Sequence, residues 1–374
     1  MAMALTGARV FDGETIREGL AVVIDGEKIA DVAANDRIGA GVERHQLDGG
    51  LLAPGFIDIQ VNGGGGALFN ADPGVEIIRR IADSHRRFGT TGLLPTVITD
   101  APEIMAKAIA AVAKARVDKV PGILGIHIEG PFLDVERKGA HAVRFIREMT
   151  EADVAQIAGA SCGIVVLTLA PNRVPVALIR QLTERGVLVS LGHAEATHGE
   201  AEQALAAGAT AFTHLFNAMS QMSGRDPGMV GAALGHRESY CGLIADGFHV
   251  HDAAMQVALA AKPRDRMILI SDAMPTAAGG PDSFELQGRV VRRVNGRLQL
   301  EDGTLAGCNL TMDAAVRYCV ETLGVRLEDA LRMASLNPAT FLRMDHELGR
   351  IRPGFLASLV HLSDDLRVRQ TWIG

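Results

Sequence analysis

Between Pro54 and Ser271 the chain alternates short apolar runs with amphipathic stretches. The apolar runs fall at 55–60, 91–97, 122–128, 163–169, 187–192, 209–214, 240–245 and 266–271. Most gaps carry apolar positions at helical spacing, over 74–88, 102–116, 151–159, 173–185, 197–207 and 250–261. A strand buried on both faces reads as a near-continuous apolar run, the pattern of a parallel sheet covered by helices. Eight such strands with intervening helices predict an α/β fold of the (β/α)8 TIM-type barrel, and the span suits its usual ~250 residues. A doubly wound sheet can be written with the same elements but has no need of eight strands.

The first 53 residues show no helical period. They read as short strands at 7–11, 19–24 and 28–32, with Asp25-Gly26 as the turn between the last two. The same texture returns near the end, where Gly349-Arg-Ile-Arg-Pro353-Gly354 is turn chemistry and 357–362 and 366–370 read as strands. Chain termini often lie close together. The expectation is therefore a small β-sandwich domain built from 1–53 and 345–374, beside a barrel domain over 54–344. Within the barrel domain, 284–288, 290–294 and 297–300 predict a β-hairpin insertion near 283–302, turning at Asn295-Gly296, before helices over 311–323 and 327–335.

Composition adds exclusions. A net charge of −7 with no long basic run gives no reason to expect nucleic acid. No apolar run approaches the ~20 residues that a membrane helix needs. Met1-Ala-Met-Ala-Leu-Thr6 lacks the features of a signal peptide. Cys162, Cys241, Cys308 and Cys319 form no Cys-x-x-Cys pair, so buried, reduced thiols in a cytoplasmic protein are expected.

Four of the apolar runs end on a ligand-type side chain: Glu129, His193, His214 and Asp272. Strand ends form the functional rim of a barrel, so the four can converge at one mouth. One carboxylate and two imidazoles suit a divalent metal with a position left for water, whose pKa falls to ~7 when bound. Asp272 is then placed to take that water's proton and return it to a leaving group. His127 shares a face with Glu129, and both a role in the site and a packed role in the core are open. Gly63-Gly-Gly-Gly66 lacks phosphate-loop chemistry and reads as a flexible loop over the mouth.

Certain motifs are more specific. Pro54-Gly-Phe-Ile-Asp58, His127-Ile-Glu129-Gly-Pro131-Phe132, Gly192-His193, Thr213-His214-Leu-Phe-Asn217-Ala-Met219, Asp246-Gly-Phe-His249 and Ser271-Asp272-Ala-Met274 stand in this order. Together they resemble the N-acetylglucosamine-6-phosphate deacetylases of the amidohydrolase superfamily, along essentially the whole chain. The resemblance implies hydrolysis of the acetamide of a phosphorylated amino sugar. It implies one divalent metal per subunit on Glu129, His193 and His214, Zn2+ first, with Fe2+, Co2+ and Mn2+ as alternatives. Asp272 would be general base and then acid, and His141, beside Ala140, would stabilise the oxyanion. Asn217, Ala218 and Arg225 would line the sugar-phosphate site, His249 would contact substrate, and Leu305, Ala306 and Gly307 would close over the acetyl end. A homodimer is implied too, with Arg225 and His249 shared across the interface.

The chain departs from the family pattern in places. Gln60 and Asn62 stand where many amidohydrolases carry His-x-His, so they read as vestigial second-metal positions and one catalytic metal is expected. Cys308 replaces the commoner Ser, and Ser358 a usual Asp. The galacto epimer of the substrate is an alternative that these residues do not separate. A cyclic-amidase-type hydrolase is another, weakened by the missing His-x-His and by the lack of a lysine suited to carbamylation.

Overall fold

The computed structural model describes residues 2–39 and 41–374, so Met1 and Ala40 of the predicted β-sandwich fall outside the described residues. Eight parallel strands run side by side in chain order: Phe56–Val61, Thr90–Ile98, Gly125–Glu129, Ile164–Leu169, Leu188–Leu191, Ala211–Phe212, Tyr240–Leu243 and Met267–Leu269. A parallel bridge between Val61 and Ala273 brings the last strand to the first, and Asn62 N–H donates to the Ala273 carbonyl at 2.9 Å. The barrel read from the alternation is therefore the one observed. Its strands are buried almost throughout, as a parallel sheet covered by helices requires, and the polar side chains they carry, such as Asp58, Gln60, His127 and Thr168, are buried as well.

Helices cover the outside. Val75–Arg86 buries Ile78, Ile81, Ala82 and His85, one stripe of a helical period. Thr150 and Thr197 open Glu151–Ala158 and His198–Ala206 with reciprocal capping boxes, which satisfy backbone donors that a helix start leaves free. Among the described residues, no helix is long and apolar enough to cross a membrane.

Both chain ends contribute to one sheet. Its order is Val368–Trp372, Leu359–Leu362, Leu51–Pro54, Arg9–Phe11 and Ile16–Arg17. A second sheet runs Lys28–Ala34, Leu20–Asp25, Met3–Thr6 and Glu43–Gln46. Leu5, Val22 and Ile29 of the second sheet share a small core with Val10, Leu52 and Leu359 of the first. The hairpin turn sits one residue later than predicted. Asp25 is still in the strand and pairs with Lys28, which leaves Gly26-Glu27 as the loop, with Gly26 at φ 59°.

The insertion forms a three-stranded antiparallel sheet of Ser283–Leu286, Arg289–Val294 and Arg297–Gln299. It turns at Asn295 and Gly296, both at positive φ, as a tight hairpin requires. The Gly63–Gly66 segment is not a free loop. Gly63-Gly64 pairs with Ala67-Leu68, and the N–H groups of Gly65 and Gly66 donate to the carbonyls of Ala277 and Pro275. A Cβ on Gly64 would stand 2.5 Å from His85 Nε2, so glycine here permits close packing.

Candidate active site

Glu129 ends the third barrel strand at the rim, and its side chain is buried. Its Oε1 lies 3.1 Å from Nε2 of both His193 and His214, and those two nitrogens are 3.0 Å apart. The three ligand atoms thus converge on one point, as the strand-end reading requires. His193 Nδ1 donates to the Arg137 carbonyl at 2.9 Å, which leaves its Nε2 lone pair turned inward. Burial alone would raise the Glu129 carboxyl, but the two imidazoles hold it well below its usual value. An ionised carboxylate with two imidazole nitrogens facing it is a donor set that fits a divalent cation.

Asp272 follows the eighth strand and faces the same space. Asn62 Nδ2 donates to its Oδ1 at 2.7 Å, and Gln60 Nε2 reaches that oxygen at 3.4 Å and Glu129 Oε1 at 3.1 Å. At the expected vestigial metal positions, then, two amides tie the two carboxylates together. Burial, and then the charge of Glu129, push the Asp272 pKa up to about 7.

His141 stacks edge-on against His193, with ring centroids 4.4 Å apart. Its Nδ1 is 2.8 Å from the Thr99 hydroxyl. That hydroxyl also lies within reach of the Glu129 carbonyl, at 3.3 Å, and when it donates to the ring instead, the His141 Nε2–H is left for a ligand. Burial, reinforced by His193, pushes the His141 pKa down to about 3, so the ring is a neutral donor. His249 binds Asp246 Oδ2 through Nδ1 at 2.7 Å. Burial disfavours its charge, but the bond to Asp246 outweighs this and raises the pKa above the ordinary value.

These groups line a cavity of about 400 Å³, together with Ala140, Asn217, Ala218, Leu305 and Gly307. Three predicted site residues are placed elsewhere. Gln60 lies buried beneath the floor. Ala306 is fully buried in the small core under the hairpin, with Met274 and Leu298. Arg225 sits in an exposed segment and does not line the cavity of its own chain. His249, expected to serve a neighbouring subunit, lines the cavity of its own. His127 is a core residue: its Nδ1 lies 2.9 Å from the Ile59 carbonyl and its Nε2 2.8 Å from the Thr168 hydroxyl.

Several contributors went unread in the sequence. Thr99 follows the second strand, so the logic that found Glu129 could have found it. Asp246 stands three residues before His249 in a motif already singled out, and only its side chain's direction was missing. Ile98, Ile244, Met274 and Thr304 also line the cavity.

Comparisons with known proteins agree with this geometry. The pattern of the Amidohydrolase family matches residues 51–374, and that of the NagA composite domain matches residues 3–52. An N-acetylgalactosamine-6-phosphate deacetylase of Shewanella sp. (strain ANA-3) is 43% identical over 330 residues, 88% of this chain and 83% of that protein. An N-acetylglucosamine-6-phosphate deacetylase of Haemophilus influenzae is 32% identical over 372 residues, 98% of this chain and 97% of that one. The crystal structure of the N-acetylglucosamine-6-phosphate deacetylase of Pasteurella multocida superposes with a TM-score of 0.97 at 34% identity, covering 100% of this chain and 98% of that one.

Proposed function

The chain belongs to the amidohydrolase family, and we propose that it hydrolyses N-acetylglucosamine 6-phosphate to glucosamine 6-phosphate and acetate. It is a deacetylase by its relatives. The observation that carries the reading is the convergence of Glu129, His193, His214 and Asp272 on one cavity. A divalent ion on the first three, Zn2+ by preference for this ligand set, would supply Lewis-acid polarisation and an acidified water. Asp272, aligned by Asn62, accepts the proton of the attacking water and later hands it to the departing nitrogen. His141, fixed by Thr99, donates to the carbonyl oxygen as it gains negative charge. His249, held by Asp246, contacts the sugar phosphate, with Asn217 and Ala218 beside it. Leu305 and Gly307 shape the acetyl end, with Ala306 packed behind them.

Arg225, absent from its own cavity, fits a homodimer in which it reaches the partner's substrate phosphate, where a planar guanidinium suits the ligand. Mixing Arg225→Ala with Asp272→Asn protein tests this. Restored activity supports sharing, and none places Arg225 within its own subunit's function.

A second reading has a specific support. The Shewanella relative, at 43% identity, is named for the galacto epimer. Acetate release from both epimers and from unphosphorylated N-acetylglucosamine, with and without metal, decides. Metal-dependent release from the gluco phosphate supports the proposal, preference for the galacto phosphate replaces it, and no release from any of them overturns both.

A further inference from the structure

Apart from the Glu129 group, the described residues bring together another set of metal-ligating side chains: Asp246, His249 and Cys308, whose ligand atoms all lie within 4.8 Å of one another. Asp246 Oδ2 is the hub, accepting from His249 Nδ1–H at 2.7 Å and from the Cys308 thiol at 3.1 Å. Its Oδ1 accepts from the N–H groups of Phe248 at 2.8 Å and His249 at 2.9 Å, so the carboxylate is fixed in place. Cys308 is held from the other side, its N–H donating to the Asp272 carbonyl at 2.8 Å.

We propose that Asp246, His249 and Cys308 form a second divalent-metal site, selective for thiophilic ions such as Zn2+ and Cd2+, in the wall of the active-site cavity. Nitrogen, oxygen and sulfur atoms on one tetrahedral ion stand roughly 3.3–3.7 Å apart, so the present contacts need to widen by only about half an ångström. A carboxylate and a thiolate neutralise a divalent charge, which a buried site requires. Burial, and then Asp246, hold the Cys308 thiol well above its usual pKa, so the ion must displace the thiol proton. It displaces the His249 Nδ1 proton as well, and binding therefore releases acid. A serine at this position would keep the bond to Asp246 but is a poor ligand for a soft ion, and the cysteine is what turns a hydrogen-bonded hub into a ligand set. An ion here would draw Asp246 away from His249 and so inhibit whatever reaction the cavity performs.

The test is a Cd2+ titration of metal-stripped protein, following bound equivalents by equilibrium dialysis and the near-ultraviolet band of a cadmium thiolate. The wild type should bind two equivalents, one of which develops the band. Cys308→Ser should bind one, without the band, while its circular dichroism shows the fold retained. Glu129→Gln should keep the band with its single equivalent, and Asp246→Asn should weaken the band-forming ion at least ~10-fold. A single equivalent in the wild type, or a band that survives Cys308→Ser, overturns the site. None of these readouts depends on the deacetylase reading.

Discussion

His193, His214 and Asp272 all hold left-handed backbone, at φ 50°, 33° and 46°. For residues with a Cβ this conformation costs of order 1–3 kcal/mol, and here it turns the chain sharply where three strands end. Asp272→Asn is expected to lower kcat by ~10²–10⁴-fold with metal content unchanged by atomic absorption, and loss of the metal instead would make Asp272 a ligand. As the proposed base, Asp272 must be ionised, so the rate should rise with pH along a limb set by that ionisation, which burial raises and a bound cation beside Glu129 lowers. Asn62→Ala removes the 2.7 Å donor that favours the ionised form. That limb should move further up, and kcat/KM at neutral pH should fall by the equivalent of ~1.5–3 kcal/mol. A limb that stays put would show that Asn62 does not act on Asp272. The convergence of Glu129, His193 and His214 was legible because each ends its own apolar run. The Arg137 carbonyl was not, because its role depends on how the 134–141 loop lies across the mouth.

Among the elements, the inserted hairpin does the most for the site. Arg289 donates to the Ala140 carbonyl at 2.5 Å, and Gln287 Nε2 donates to the Thr99 carbonyl at 2.8 Å. The hairpin thus grips both supports of His141. Arg289→Ala should lower kcat more than it raises KM and should leave metal content alone, since Glu129, His193 and His214 lie on other segments. An unchanged kcat would show that the loop holds itself. The hairpin was readable from Asn295-Gly296 and the alternation around it. Helix Gly228–Gly235 was not, because Met229, Val230, Ala232, Ala233 and Leu234 are all buried, with Gly231 between them and a glycine at each end, which leaves no polar face. Nor could the packing of Gly64 on His85 be foreseen from a run of glycines, where composition suggests only freedom.

At the scale of the whole molecule, two further histidines besides His141 are sealed in neutral form, both packed away from the cavity. Burial pushes His127 down to about 4, and His85 is lowered for the same reason. Below pH ~6.5 the unfolded chain takes up protons that the folded chain refuses, so stability is lost as pH falls toward the folded pKa. The His127 share between pH 7 and pH 5 is about 2 kcal/mol, with His85 acting in the same direction. Asp58 and Asp272, whose carboxyls are raised to about 7, act in the opposite direction. The urea midpoints of metal-stripped wild type and His127→Asn are therefore compared at the two pH values, and an equal change in both would contradict the His127 share. The joining of the two chain ends in one sheet was readable because both ends share a texture of short strands and turns. Its strand order was not, because pairing partners more than 300 positions apart leave no local trace.

That strand order has a consequence in time. Leu51–Pro54 is hydrogen-bonded on one side to Arg9–Phe11 and on the other to Leu359–Leu362. On a ribosome, the second neighbour is made almost last, so this strand waits with one edge bare while the barrel that follows it assembles. A bare apolar edge invites pairing with another nascent chain. Chains stalled before residue 359 should therefore be cut by protease in the early strands and recruit holdase chaperones, and release of the final strands should end both at once.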